Sequence, residues 1–121
     1  PKAAKPNQNS QEKKSNLISL ADFQKQDLRV GCVTSAESIE GADRLLKLQV
    51  DLGTEKRQVV AGIAEHYQPD TLVGRQVIVV VNLEPATIRN VESHGMILAA
   101  SGDAVVLASP ETEVPLGTQV R

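Results

Sequence analysis

The sequence predicts an all-β domain with a short helix, five strands wound as a small Greek-key barrel with flanking terminal segments. Three observations predict it. Leu46, Leu48 and Val50 alternate with Lys47, Gln49 and Asp51, the period of two that gives a strand one dry and one wet face. The run Val77-Ile78-Val79-Val80-Val81 is β-branched throughout, as a strand buried on both faces would be. A helical segment from Ala64 to Leu72, broken by Pro69 and ended by Gly74, separates the third strand from the fourth. With 121 residues, 40% of them hydrophobic, the chain has the material for one packed core and no more.

The elements follow in order. Residues 1–16 (PKAAKPNQNSQEKKSN) hold no large apolar side chain and read as a flexible basic linker, with residues 17–121 forming the folded domain and its C-terminal extension. Ser19, with Asp22 three residues on, caps one or two helical turns that pack Leu20 and Phe23. Asp27 to Ile39 is a long strand with Leu28, Val30 and Cys32 on one face, and Gly31 marks a bulge or sharp bend within it. The alternating second strand ends in a turn over Asp51-Leu52-Gly53-Thr54-Glu55-Lys56, and Arg57 to Ile63 returns as the third. The fourth covers Gln76 to Leu83. Met96 to Ala100 and Ala104 to Ala108, on either side of Ser101-Gly102-Asp103, close the chain as a hairpin. This order, with a helix between strands three and four, is that of the OB-fold, a small barrel that binds oligonucleotides or oligosaccharides.

Composition excludes several function classes. The single cysteine, Cys32, allows no intrachain disulfide, and two histidines with one cysteine cannot build a structural zinc site. No apolar run exceeds five residues, the length of Val77 to Val81, far short of the roughly 20 needed to span a bilayer, so a cytoplasmic protein with no membrane partner is expected. Because the chain opens at Pro1 and its one methionine is Met96, it is expected to be a piece of a longer polypeptide.

Catalysis finds no support in the residues. Cys32 lies in an alternating strand as a small core residue rather than beside a basic activator. Asp43, Glu84 and Glu92 show no paired spacing suited to acid–base work. No phosphate-cradling loop, dinucleotide fingerprint or metal motif occurs, so no cofactor, metal or catalytic residue is expected.

Binding is the remaining class. The stretch Asn82-Leu83-Glu84-Pro85-Ala86-Thr87-Ile88-Arg89-Asn90-Val91-Glu92-Ser93-His94-Gly95-Met96 follows the most apolar strand and is rich in hydrogen-bonding groups. The alternative, Arg89 as a solvated charge and Met96 as a core filler, stays open on the residues alone.

Six spaced blocks carry a resemblance. They are Phe23-Gln24-Lys25-Gln26-Asp27-Leu28-Arg29-Val30-Gly31, Ala42-Asp43-Arg44-Leu45, Leu48-Gln49-Val50-Asp51-Leu52-Gly53, Val59-Val60-Ala61-Gly62-Ile63, Asn82-Leu83, and Ser93-His94-Gly95-Met96-Ile97-Leu98-Ala99-Ala100. Together, over Ile18 to Ala108, the chain resembles the tRNA-binding domain appended to the carboxyl end of bacterial methionyl-tRNA synthetase. Free-standing tRNA-binding proteins, an arm of the phenylalanyl synthetase β subunit and a cytokine precursor of the endothelial monocyte-activating type are similar. The resemblance implies an OB-fold that holds tRNA by shape, with little dependence on sequence, usually as a homodimer, and with no DNA partner. It also implies a non-catalytic fragment whose parent chain is a methionine–tRNA ligase. Position by position, the RNA-facing residues it implies are Arg44, Asn82, Arg89, Ser93 and Met96, with Arg29 and Lys47 behind them. The chain departs from the family pattern at Gly41, where proline is common, at Thr87, where a second basic residue is common, at Asn90, where glycine is usual, and at His94, where glutamate is frequent.

Charge agrees with a localised grip. Four lysines against one glutamate give residues 1–16 a net +3, leaving nine basic and fourteen acidic residues, −5, on the rest. An anionic body cannot hold phosphates broadly, so binding rests on a local basic stripe and weakens with salt. Aromatics are 2% of the chain, Phe23 and Tyr67, which leaves little base stacking and points to hydrogen bonds with phosphate and ribose. Lys13 and Lys14 either add phosphate contacts or only solvate the linker. A second reading is a chaperone-like or protein-interaction module acting mainly in dimerisation, with Leu17 to Phe23 and Val105 to Leu116 as the contact. An oligosaccharide or heparin binder is disfavoured by the negative body.

Overall fold

The computed structural model describes residues 16–121, so the linker expected over residues 1–16 lies, Asn16 apart, outside the described residues. Among the described residues, ten strands and two short helices follow in chain order. They are α1 (Leu20–Phe23), β1 (Leu28–Ile39), β2 (Ala42–Asp51), β3 (Lys56–Ala61), α2 (Pro69–Leu72), β4 (Gln76–Val80), β5 (Ala86–Ile88), β6 (Val91–Ser93), β7 (Met96–Ile97), β8 (Ala99–Ser101), β9 (Val105–Leu107) and β10 (Gln119–Val120). The expected OB-like β fold is present: a main sheet runs β3-β2-β1-β4-β7, antiparallel throughout, with a helix between β3 and β4.

β1 is the spine. Leu28 pairs with both Val80 of β4 and Val120 of β10, and Cys32 pairs with both Gln76 of β4 and Asp51 of β2. Since a strand has only two edges, β4 occupies one of them and β10 and β2 lie end to end along the other. The terminal strand β10 was not foreseen, because two residues bounded by Gly117 and the chain end carry no periodic signal.

The core takes one face of this sheet. Leu46, Leu48 and Val50 of β2 are buried as their alternation predicted, together with Val59 of β3 and Val77 and Val79 of β4. Each such side chain removed from water contributes about 1.5–3 kcal/mol. In β4 the β-branched run is buried on both faces except at Ile78, which is half-exposed, and the strand ends at Val80 rather than Leu83. Within β1, Gly31 and Val33 face the core, opposite Val77 and Val50, while Leu28 and Val30 are buried on the other face, where Cys32 is half-buried. A Cβ on Gly31 would stand 2.5 Å from Val50 Cγ1, so glycine is required by the close approach of β2. The register shifts of β1 against β2 lie not at Gly31 but between Val33 and Ser35 and between Ser38 and Ile39.

The short helices are smaller than expected. Ser19 caps α1, its Oγ accepting from the Asp22 N–H at 3.0 Å, yet α1 buries none of its residues, and Leu20 and Phe23 are exposed rather than packed. Pro69 starts α2 instead of breaking a longer helix, as its fixed φ and missing N–H suit a first helical position, and Ala64 to His66 form only a turn.

The closing hairpin is divided. Met96 and Ile97 join β4 as β7, while β8 and β9 pair with each other, Ala99 opposite Leu107. The ladder between β3 and β7 stays open, so the sheet does not close on itself by strand pairing. Other bonds bridge the gap: the His94 N–H donates to Gln58 O at 2.7 Å, and the Val60 N–H donates to Ser93 Oγ at 3.0 Å. The Val105 to Leu116 flank, named as a subunit contact, sends Leu107 into the core with Val105 against it, and the Leu107 N–H donates to the Tyr67 hydroxyl at 3.0 Å.

Candidate nucleic-acid interface

The segment between β4 and β7 leaves the main sheet and returns to it. Read from the sequence as a loop, it holds a hairpin of its own, β5 against β6, with Ile88 opposite Val91 and only Arg89 and Asn90 between them. Both turn residues have positive φ, 53° and 67°. This matches a type I′ hairpin turn, the form whose twist suits two antiparallel strands, and the resemblance had anticipated glycine at the second position. Asn tolerates that conformation; a long side chain such as Arg89 does so at a cost.

The turn carries Arg89 to Arg44. Gly41, Ala42, Asp43, Arg44 and Leu45, at the start of β2, line a groove of about 500 Å³ with Arg89 as its other wall. Arg44 is 80% exposed and holds Glu65 at 3.4 Å, while its carbonyl accepts from the Ala64 N–H at 3.1 Å. Among the described residues no carboxylate lies within ion-pair distance of Arg89. Two arginines 45 residues apart in sequence thus line one open groove, with Asp43 as the acidic residue among its lining.

The other expected site residues stand elsewhere. Asn82 is exposed just past β4, but its amide is already engaged: Oδ1 accepts from the Asp27 N–H at 2.9 Å and Nδ2 donates to Lys25 O at 2.6 Å. One amide hydrogen remains for a ligand. Arg29 grips Asp27 through Nε at 2.9 Å and Nη2 at 3.1 Å; that hydrogen-bonded carboxylate and its charge raise the guanidinium pKa above its ordinary value. Lys47 Nζ sits 2.6 Å from Glu37 on the neighbouring strand. Met96 is exposed beside an apolar groove of about 410 Å³ with Val60, Ile63, Leu98 and Val105 among its lining, not beside Arg44.

Ser93 is 5% exposed, and its hydroxyl is spent within the fold, accepting from Val60 and donating to Gly95 O at 3.1 Å. Gly95, at φ 139°, leaves no room for a side chain, since a Cβ would meet Val80 O at 3.0 Å. The Ser-His-Gly-Met block is therefore a splice between β6, β3 and β7. Arg57 and Gln58, which sequence reasoning passed over, complete it. Arg57 Nη1 donates to Val81 O at 2.9 Å and His94 O at 3.1 Å, and Gln58 Nε2 donates to Glu92 O at 2.8 Å. No local motif reveals partners 24 and 37 residues away. Among the described residues no group of three or more His, Cys, Asp or Glu side chains could hold a metal, and no helix is long and apolar enough to cross a membrane.

Comparison with known proteins follows the same outline. The family model described as "Putative tRNA binding domain" matches residues 28–119. The methionine–tRNA ligase of Deinococcus radiodurans is 51% identical over 123 aligned residues, which cover 100% of this chain and 17% of that protein. Among solved structures, the MetRS related protein from Pyrococcus horikoshii superposes with a TM-score of 0.83 at 40% identity, covering 88% of this chain and 99% of that one. The chaperone CsaA from Bacillus anthracis gives 0.81 at 32% identity, covering 87% of this chain and 99% of that one. The chain thus spans about a sixth of the length of the ligases it matches. It belongs to the tRNA-binding domain family, as a counterpart of the tRNA-binding domain of methionyl-tRNA synthetases.

Proposed function

We propose that the chain binds tRNA by shape, as the appended carboxyl-terminal domain of a methionine–tRNA ligase, and joins two such chains as a homodimer. The observation that carries the RNA reading is the groove shared by Arg44 and Arg89. Two arginines lining one groove on a chain of net charge −2 offer a local anion site and no broad one. Contacts of this kind reach phosphate and ribose but read no base edges, so discrimination among tRNAs is small. Asn82, Met96, Lys47 and Arg29 lie outside this groove and would serve only as secondary contacts, and Ser93 acts by holding its segment in place. A cytoplasmic location accords with this role.

Dimerisation rests on the N-terminal flank. Leu17, Ile18 and Leu20 are 64–72% exposed, and Phe23 lines a cavity with Gln119 and Val120 of the chain end. An apolar cluster left uncovered on so small a domain suits a second copy. Joining two ligases would double the tRNA sites and raise the local tRNA concentration without new contacts.

Titration of several unrelated tRNAs and of tRNA-length unstructured strands tests the RNA reading. Similar affinity for the folded tRNAs and weaker binding of the strands is expected; equal binding of both would refute recognition by shape. Sedimentation checks the dimer, which Leu20→Glu should dissociate; a wild-type monomer at high micromolar concentration would reject it. A chaperone-like role is favoured by one feature, the apolar groove beside Met96, together with the likeness to CsaA. Failure of every tRNA to bind at low salt, with the dimer intact, would move the assignment there.

A further inference from the structure

The β5–β6 hairpin that carries Arg89 makes no ladder with the main sheet, and all three β5 residues are exposed. An isolated two-stranded hairpin is marginal in water, so its pose must be set where it joins the domain. That neck centres on one side chain. Arg57 of β3 sends Nη1 to Val81 O and to His94 O, while Nε donates to Glu55 Oε1 at 2.7 Å. Val81 immediately precedes the 82–95 excursion and His94 lies at its return, so one guanidinium fastens both ends of the segment bearing Asn82, Arg89 and Ser93. Beside it, Gln58 holds the return leg through Glu92 O and the His94 N–H.

We infer that Arg57 is a positioning residue for RNA binding, which fixes the neck of this excursion and so presents Arg89 across the groove from Arg44. The inference rests on the tRNA reading above. Arg57 does this work as a planar fork whose donors point in separate fixed directions: one nitrogen serves two carbonyls while another is held by Glu55. A lysine ammonium keeps the charge but cannot span the three acceptors from one place. Because Arg57 spends these donors inward and its side chain is only 25% exposed, it affects binding without neutralising a phosphate itself.

The distinguishing experiment measures tRNA affinity against salt for the 121-residue chain and its Arg57→Gln, Arg57→Lys and Arg89→Ala variants, with hydrogen exchange of residues 86–95. Arg57→Gln should weaken binding about tenfold, the scale of one lost charge-assisted hydrogen bond, with the salt slope unchanged and exchange in the hairpin faster. Arg57→Lys should restore only part of the affinity. Arg89→Ala should weaken binding and flatten the slope. Wild-type affinity in Arg57→Gln, full rescue by lysine, or a flattened slope, which marks a direct phosphate contact, would overturn the inference. Unchanged binding in Arg89→Ala would instead overturn the tRNA reading beneath it. Should Arg57→Gln fail to fold, Arg57→Lys carries the test, since it keeps the charge: weaker binding at constant slope supports positioning, and wild-type binding refutes it.

Discussion

Ser93 Oγ accepts the backbone N–H of Val60 at 3.0 Å, across the gap where β3 and β7 make no ladder. A hydroxyl stands there in place of a strand partner, and both residues are buried. Ser93→Ala would strand the Val60 donor away from water, which costs about 1–3 kcal/mol. Urea denaturation should show the midpoint falling at constant m-value, while the salt slope of tRNA binding stays as in the wild type. An unmoved midpoint would mean that water replaces the hydroxyl.

Arg89 combines a strained backbone with the proposed contact. Glycine at φ 53° escapes the left-handed penalty but loses more freedom on folding, so Arg89→Gly should gain about 0.5–1 kcal/mol of stability. The same variant should bind tRNA less tightly. Opposite changes in unfolding midpoint and affinity are the expected signature; loss of both would show that the arginine supports the hairpin instead.

Gly31 faces Val50 closely enough that even a methyl group must displace the Val50 side chain in the core. Gly31→Ala should therefore destabilise by about 1–3 kcal/mol, the usual range for overpacking. Thermal unfolding checks this, and a wild-type midpoint would show that the Val50 side chain yields freely.

Glu55 gives a pH dependence of known sign. Its hydrogen bond from Arg57, then the charge of that guanidinium, lower its pKa below the ordinary glutamate value. A carboxylate with a depressed folded pKa adds stability that is complete above the unfolded pKa and is lost as pH falls through the folded one. Stability of the wild type relative to Glu55→Gln should be greatest at neutral pH and vanish in acid. The effect is small because the Glu55 carboxylate is half exposed to water. A difference that grows on acidification would contradict the assignment.

The strands were legible where side chains alternate. Leu46, Leu48 and Val50 specify β2 and its buried face, and Asp51 Oδ1, accepting from the Gly53 N–H at 2.8 Å, makes the turn that Gly53 announces. What was not legible depends on distant partners. β10 exists because Leu28 offers an edge to Val120, and β4 stops at Val80, just before Val81, whose N–H donates to Asp27 O at 2.9 Å. The same holds for the site. Arg44 and Arg89 stand out by residue type and family position, and the groove joins them. Ser93 and Arg57 act through carbonyl and amide groups that belong to no motif, so their roles become visible only once the strands are assembled.

The most direct measurement is the salt dependence of tRNA binding to the Arg44→Ala/Arg89→Ala double variant. Each arginine that neutralises a phosphate contributes about 0.7–0.9 to the slope of log affinity against log salt. The paired groove predicts a slope shallower by about 1.4–1.8, again by that relation, with a marked loss of affinity at low salt. A double variant that keeps the wild-type slope and affinity would contradict it.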